Sequence, residues 1–314
     1  MTIPHAAQGR LQKIVIIVGP TASGKTALAI ALAKKFGGEV ISADSRQVYK
    51  ELTIGSAKVS KKEMSGVRHH LLDVRKVTDP AYTAHDFYTE AHEAIERIGT
   101  RGYLPIIAGG TGFYTDVLSG RITLPGAAPD MVLREKLELK SLPQLLALLK
   151  RRSPQRYKDI VQKNEIQNKR RIIRALEVSY SPDAEKSTHI PYDILWIGMQ
   201  PDKELLKNKI YARNTEMFPR GLVREGKKLR TLKISDARIK EFGFEYLYLN
   251  EYLRGAMTKE EALTWMNIKT WQYAKRQMTY WKRNNDIIWF DPKNTTAIQK
   301  TLQTFLKRGR QTAP

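Results

Sequence analysis

The sequence predicts an α/β fold in which a parallel sheet is covered by helices and interrupted by a helical insertion. A β-branched apolar run, Ile14–Val18, stops at a glycine and is typical of a buried strand. A segment of helical composition, Thr26–Phe36, ends at a glycine pair, and a second short strand is expected at Glu39–Ala43. Strand, loop, helix and strand in this order begin a parallel sheet.

The same alternation continues along the chain. A helix is expected at Thr83–Ile98 and a strand at Leu104–Ala108, which stops at two glycines. Two later apolar runs, Ile194–Gly198 and Ile287–Phe290, are expected to be further strands of the same sheet.

Strand signals vanish between residues 125 and 191, where Leu-rich and basic helical segments replace them. Helices are expected at Met131–Leu139, Pro143–Arg151 and Lys169–Val178. Proline-containing turns at residues 124–126 and 181–183 bound this stretch. The sequence therefore predicts a core formed by residues 1–124 and 192–314, with a helical insertion at residues 125–191.

Composition narrows the class of protein and its partners. The 314 residues include no cysteine, which excludes disulfides, a thiol nucleophile and a thiolate zinc site. Lys and Arg number 54 against 32 Asp and Glu, and a net charge of +22 favours a partner rich in phosphate, such as nucleic acid. Residues 1–10 carry no apolar run typical of a leader or membrane anchor, so we expect a soluble, cytoplasmic protein with no membrane partner.

A phosphate-binding loop follows the first predicted strand. Residues 19–26, GPTASGKT, fit the pattern G-x-x-x-x-G-K-[ST] between a strand and a helix. The loop curls its backbone N–H groups toward a phosphate at a helix N-terminus, Lys25 supplies a charge, and the Thr26 hydroxyl can hold Mg²⁺. The sequence therefore predicts a site for a diphosphate or triphosphate.

Asp44 follows the second predicted strand, where ligands meet the sheet in this architecture. Its carboxylate can take a proton or hold Mg²⁺, and Gln47 can read the edge of a base. The alternative interpretation is that Asp44 caps the start of a helix. The base-reading Asn-Lys-x-Asp of a GTPase and the Asp-Glu strand end of an ATP-driven motor are both absent.

A long helix is expected from Thr258, whose spacing to Glu261 fits a capping box. Along one of its faces cations alternate with aromatic rings: Lys269, Tyr273, Arg276, Tyr280 and Arg283. Cations for phosphates and rings for unpaired bases favour single-stranded RNA. The alternative is a solvated basic face, with Trp265, Trp271 and Trp281 in the core.

Several segments together resemble the isopentenyl-tRNA transferase family. They run in family order through nearly the whole chain: GPTASGKT at 19–26, ISADSRQVYK at 41–50, HHLLD at 69–73, AGGTGFY at 108–114, RRIIRALEV at 170–178, MFPRGLVREG at 217–226 and YAKRQMTYW at 273–281. The resemblance implies a P-loop NTPase-like parallel sheet core with a helical insertion domain. It also implies transfer of the dimethylallyl group from dimethylallyl diphosphate to N6 of adenine 37 of tRNA, beside the anticodon.

The resemblance further implies roles for individual residues. Asp44 would be the general base, Thr111 would bond the bridging oxygen of the diphosphate, and Arg213 would neutralise it. The diphosphate would lie against Gly19, Thr21, Ala22, Ser23, Gly24, Lys25 and Thr26. The tRNA anticodon stem-loop would contact Asp44, Ser45, Arg46, Gln47, Asn168, Lys169, Arg170, Arg171, Lys269, Tyr273 and Arg276. Mg²⁺ would bind at Thr26 and Asp44. We also expect the protein to be a monomer.

The sequence departs from the family pattern at two segments expected to lie on the RNA-contact surface. Asn168 stands where relatives usually carry an acidic residue, and Phe242–Tyr246 replaces Ile-Gly-Tyr-Lys-Glu. Two rival functions are an isopentenyltransferase acting on free AMP or ADP, and a non-catalytic P-loop protein that binds RNA. The insertion and the charge of +22 argue against the first rival, and the presence of both Asp44 and Thr111 argues against the second.

Overall fold

The fold contains a parallel sheet of six strands. The computed structural model describes residues 11–124, 130–180 and 192–308. The strands are β1 (Gln12–Val18), β2 (Gly38–Ser42), β3 (His69–His70), β4 (Leu104–Ala108), β5 (Tyr192–Met199) and β6 (Ile288–Phe290). They lie in the order β3-β2-β4-β1-β5-β6, and every pair is parallel. The α/β class and the parallel sheet expected from the sequence are thereby confirmed.

Helices connect these strands. They are α1 (Lys25–Phe36), α2 (Lys61–Met64), α3 (Ala84–Thr100), α4 (Gly112–Leu118), α5 (Met131–Glu138), α6 (Leu142–Arg152), α7 (Pro154–Gln162), α8 (Lys169–Tyr180), α9 (Lys203–Met217), α10 (Leu222–Thr231), α11 (Asp236–Glu241), α12 (Phe244–Leu253), α13 (Lys259–Trp281) and α14 (Thr295–Lys307). None of the helices in the described ranges is both long and apolar enough to cross a membrane.

Each strand that the sequence predicts is present, with bounds that differ by at most two residues. The short edge strand β3 has only two residues and was not predicted. The predicted capping box of α13 is also present, because Thr258 and Glu261 exchange their side-chain bonds with each other's backbone N–H groups. The predicted turns at 124–126 and 181–183 and the segment 1–10 lie wholly or mostly outside the described residues.

The central strand β1 is buried on both faces, which explains its continuous apolar run. Ile14, Ile16 and Val18 pack into one core with α3, and Val15 and Ile17 pack into the other with α1 and α14. Alternation of side chains along a strand sends successive residues to opposite faces. A sheet covered on both faces leaves its strand ends as the accessible edge for a ligand.

The chain divides into two compact units, one formed by Met1–Arg121 with Ile190–Pro314 and the other by Ile122–His189. The second unit contains α5 to α8 and has a core of its own, which includes Leu145, Leu149 and Ile172. Its buried Glu177 is bonded by Arg134 of α5 at 2.8 Å. The division expected at residues 125 and 191 falls in segments outside the described residues.

Glu225 of α10 fixes the loop at residues 53–55, which borders a cleft at the carboxyl ends of the strands. The residue is 7% exposed, and its carboxylate accepts hydrogen bonds from the backbone N–H groups of Thr53, Ile54 and Gly55 at 2.9, 2.9 and 3.1 Å. The hydroxyls of Thr53 and Tyr246 donate to the same carboxylate. Five donors converge on one buried anion, so the loop depends on it.

Replacing this carboxylate should therefore destabilise the protein. Glu225→Ala leaves buried donors without a partner, and we expect the free energy of unfolding to fall by about 3 kcal/mol in urea denaturation. Tyr246→Phe removes one of the five donors and should lower it by about 1 kcal/mol. A Glu225→Ala protein as stable as Tyr246→Phe would show that the loop does not depend on Glu225.

Candidate active site

Three adjacent strands deliver the predicted catalytic segments to one edge of the sheet. The phosphate loop follows β1, Asp44 follows β2, and Thr111 follows β4. Because β2, β4 and β1 are neighbours in a parallel sheet, their carboxyl ends lie side by side. All three segments line a single cleft of about 580 Å³.

Asp44 and Thr111 are held by the backbone of the same turn. Asp44 Oδ1 accepts from the N–H groups of Arg46 at 2.9 Å and Gln47 at 3.3 Å. Thr111 Oγ1 accepts from the N–H of Ser45 at 3.2 Å, which leaves its own hydrogen to donate to a ligand. Asp44 therefore caps a turn, whereas the alternative interpretation had it cap a helix, and the residue also lines the cleft.

Gly109 permits the close approach of two strand ends. A Cβ at this position would lie 2.1 Å from the carbonyl oxygen of Ala43, well inside contact distance. The N–H of Thr111 donates to that same carbonyl oxygen at 3.2 Å. The glycine thus allows Thr111 and Asp44 to reach one cleft.

Lys25 lies in the curl of the phosphate loop. Its Nζ donates to the carbonyl oxygens of Gly19 at 2.9 Å and Pro20 at 2.7 Å. Burial lowers the pKa of Lys25 to about 7, with Asp44 acting to raise the pKa and Arg213 acting to lower it further. An anionic ligand in the loop would restore the charge of this lysine, because an opposite charge favours the protonated form.

Gln277 of α13 joins the phosphate loop to the glycine turn. Its Oε1 accepts from the N–H of Thr21 at 2.8 Å, and its Nε2 donates to the carbonyl oxygen of Gly110 at 2.8 Å. Sequence reasoning assigned no role to Gln277. Its spacing of four residues from Tyr273, which places both on one helical face, was the available signal.

Arg213 reaches the cleft from α9. Its guanidinium donates to Thr21 Oγ1 at 2.9 Å and lies 3.8 Å from Glu245. Its Nε is buried and has no acceptor among the described residues, as is the case for Thr270 Oγ1 in the same cleft. Such unsatisfied polar atoms are typical of a site that a polar ligand completes. Lys209, one turn earlier on α9, also lines the cleft and was not predicted.

Glu245 is the carboxylate that pairs with two arginines of the cleft. It is 3% exposed, and its Oε2 accepts from Arg46 at 2.9 Å. Burial lowers the pKa of Arg213, and the neighbouring Arg46 lowers it further, although Glu245 acts to raise it. Burial also acts to lower the pKa of Arg46, but there Glu245 and other neighbours raise it above its ordinary value. Glu245 therefore pairs more closely with Arg46, at 2.9 Å, than with Arg213, at 3.8 Å.

The segment Phe242–Tyr246 was expected on an RNA-contact surface, and that expectation is wrong for most of it. Phe242, Glu245 and Tyr246 are buried. A Cβ on Gly243, whose φ is 118°, would lie 2.2 Å from the guanidinium carbon of Arg46. Arg46 packs across this glycine, and Glu245 of the same segment lines the cleft.

Other predicted contact residues lie in two places. Gln47 lines the cleft, where its amide bonds Ser42 and the carbonyl oxygens of Ser56 and Ala57. In the helical unit, Asn168 caps the start of α8, Lys169 donates to the carbonyl oxygen of Glu138 at 2.6 Å, and Arg171 pairs with Glu165. Arg170 lies between Lys169 and Arg171 on α8.

The side chains on the predicted RNA-binding face of α13 differ in their exposure to solvent. Tyr273 lines the cleft, Lys269 is half-buried and Arg276 is exposed. Trp281 is 1% exposed, as a core residue should be, but Trp265 is 44% exposed. The assignment of Trp265 to the core is therefore wrong.

Binding of an anion to the phosphate loop should be coupled to proton uptake by Lys25. At pH 8.5, above its pKa of about 7, Lys25 of the free protein should be largely neutral, and bound inorganic pyrophosphate should protonate it. Proton uptake on binding can be measured by calorimetry at pH 8.5, without divalent cations, in buffers of different ionisation enthalpy. We expect wild type to take up close to one proton more than Lys25→Arg when pyrophosphate binds.

The Lys25→Arg control keeps the charge but cannot lose its proton, so it subtracts the titration of pyrophosphate itself. The difference should disappear at pH 6, below the pKa of Lys25 in the free protein. Equal uptake by the two proteins at pH 8.5 would contradict the lowered pKa.

Known proteins are similar to this chain over most of their own length. A protein-family model described as IPP transferase matches residues 47–284. A tRNA dimethylallyltransferase of Leuconostoc citreum is 38% identical over 86% of this chain and 90% of its own, and one of Streptococcus equi subsp. zooepidemicus is 38% identical over 94% and 98%.

Solved structures give the same result. The tRNA isopentenylpyrophosphate transferase of Bacillus halodurans is 34% identical, covers 94% of this chain and 97% of its own, and superposes with a TM-score of 0.71. A eukaryotic dimethylallyltransferase acting on tRNA is 27% identical over 96% of this chain and 81% of its own, with a TM-score of 0.80. The chain belongs to the IPP transferase family.

Proposed function

We propose that this protein is a tRNA dimethylallyltransferase. It transfers the dimethylallyl group of dimethylallyl diphosphate to N6 of adenine 37, next to the anticodon of tRNA, and releases diphosphate. The observation that carries the proposal is that Asp44, Thr111 and the phosphate loop line one cleft. The names of the relatives that cover the chain support the same activity.

Asp44 is proposed as the general base. The adenine N6 forms a bond to C1 of the donor while the bond from C1 to the diphosphate oxygen breaks, and the N6 proton passes to the carboxylate. Oδ1 of Asp44 is engaged by two backbone N–H groups, so Oδ2 is the atom proposed to accept the proton. A positioned base contributes a factor of about 10²–10⁴ to such a step.

The leaving diphosphate carries the electron pair of the broken bond. Lys25, Arg213 and the loop N–H groups are proposed to stabilise its charge, because donors that are already in place cost no reorganisation during the reaction. The Thr111 hydroxyl, whose oxygen already accepts from Ser45, is proposed to donate to the bridging oxygen.

Mg²⁺ is proposed to bind in the same cleft. In the described ranges, no cluster of three or more His, Cys, Asp or Glu could hold a metal through protein groups alone. Mg²⁺ commonly uses one or two protein oxygens and completes its shell with phosphates and water. Thr26 and Asp44 are proposed to hold it, and it would polarise the diphosphate oxygens.

The adenine must leave its loop to reach the cleft. Extrusion costs a few kcal/mol, less from a single-stranded loop than from a duplex. Asp44, Ser45, Arg46 and Gln47 are proposed to hold the base in the cleft. The basic helical unit, including Asn168–Arg171, and α13 are proposed to grip the anticodon stem-loop, in the cytoplasm and as a monomer.

A transfer assay tests the proposal directly. Purified protein is incubated with Mg²⁺, labelled dimethylallyl diphosphate and unmodified tRNA whose anticodon is followed by adenines, beside a free AMP reaction. We expect label in tRNA and none in AMP. Asp44→Asn keeps the acceptor that caps the turn but removes the base, so turnover should fall by about 10²–10⁴ while the Kd for tRNA changes less than about twofold.

Each other result identifies a rival. Label in AMP would place the protein among the isopentenyltransferases of free nucleotides. Binding of tRNA without transfer would leave a non-catalytic RNA-binding protein. Turnover of Asp44→Asn close to that of wild type would remove Asp44 from the role of base.

A further inference from the structure

Two aromatic pairs lie along the seam between α12 and α13. The inner pair is Phe244 and Tyr273, with ring centroids 6.2 Å apart, and the outer pair is Tyr248 and Trp265, with centroids 6.0 Å apart and planes 15° apart. Their positions are four residues apart on α12 and eight apart on α13. This spacing keeps both pairs on the same face of each helix.

Each pair is accompanied by cations. The guanidinium carbons of Arg46 and Arg276 lie 5.8 to 6.0 Å from the ring centroids of the inner pair. The Lys269 ammonium lies 5.5 Å from the centroid of Trp265. The same arrangement, an aromatic pair beside at least one positive charge, therefore occurs twice along the seam, at an inner and an outer level.

The two levels differ in their access to solvent. Tyr273 lines the cleft, so the inner pair borders the reaction centre. Trp265 is 44% exposed, although its neighbour Met266 is fully buried. Eight residues of α13 separate the two levels, a rise of about 12 Å at 1.5 Å per residue. The outer ring is therefore presented to solvent at some distance from the cleft.

We propose that the rings of Phe244, Tyr273, Tyr248 and Trp265, with Arg276 and Lys269, form a stacking track for unpaired nucleotides next to the target adenine. Trp265 receives a base of a neighbouring nucleotide, and Lys269 moves from the ring to its phosphate. The inference rests on the proposed action on tRNA and adds an RNA contact outside the cleft.

The chemistry of the surface selects this occupant. Alternating rings and cations match the alternation of bases and phosphates in single-stranded RNA. The net charge of +22 favours a polyanion over a neutral protein partner. An exposed indole stacks on any base, so the track contributes affinity with little sequence preference.

The test compares Trp265→Ala with two matched variants. Trp265→Phe keeps a ring at the position, and Tyr103→Ala removes an aromatic ring that is also 44% exposed but precedes the amino end of β4, opposite the cleft. Each protein is assayed for transfer to an anticodon stem-loop RNA, for binding of inorganic pyrophosphate, and for quenching of tryptophan fluorescence by the RNA.

Trp265→Ala should raise the KM and Kd for the RNA about tenfold or more, the scale of a lost base–aromatic stack. Its kcat at saturating RNA and its Kd for pyrophosphate should stay within about twofold of wild type. Trp265→Phe should change RNA affinity less than about threefold and should lose most of the fluorescence quenching. Tyr103→Ala should behave as wild type.

Other outcomes overturn the track. If Trp265→Ala binds the RNA as tightly as Tyr103→Ala does, Trp265 does not stack on a base. If Trp265→Ala loses kcat while its KM is unchanged, the role of Trp265 is structural. If wild type binds the stem-loop without transferring label, the proposed function fails. The fluorescence and Kd measurements would still decide the role of Trp265 in that case.

Discussion

Compensation of positive charge in the cleft is the constraint on which the site depends. Arg46 and Arg213 must be in place before a diphosphate arrives, and cations removed from water without a partner are costly. Glu245 resolves this conflict by pairing at 2.9 Å with Arg46 and only loosely, at 3.8 Å, with Arg213. One guanidinium is fixed, and the other is free to exchange its carboxylate for a phosphate.

The surrounding contacts extend from this carboxylate. Gly243 lets Arg46 pass close to the backbone next to Glu245, and Arg213 bonds Thr21 of the phosphate loop. Gln277 then connects the same loop to the glycine turn after β4. The phosphate loop, the base and the leaving-group donors are thus linked through α9, α12 and α13, which come from the second half of the chain.

The sequence was informative where local chemistry determines structure. The continuous apolar run of Ile14–Val18 and the phosphate-loop pattern both act within a few residues, so the strand and its loop could be predicted. The convergence of Asp44 and Thr111 followed from the rule that parallel strands end at one edge. Glu245 and Gln277 were not foreseen. Their bonds to Arg46 and Thr21 span 199 and 256 residues, and only the fold brings these partners together.

The most direct test of this account is the affinity of the Glu245→Gln variant for inorganic pyrophosphate, measured by calorimetry. The control variant is Glu63→Gln, which removes a charge from an exposed residue of the same cleft. If Glu245 compensates the arginines, removing its charge should destabilise the free protein and tighten pyrophosphate binding about tenfold. Glu63→Gln should have little effect, because solvent screens exposed charges. Unchanged or weaker binding of pyrophosphate to Glu245→Gln would contradict the account.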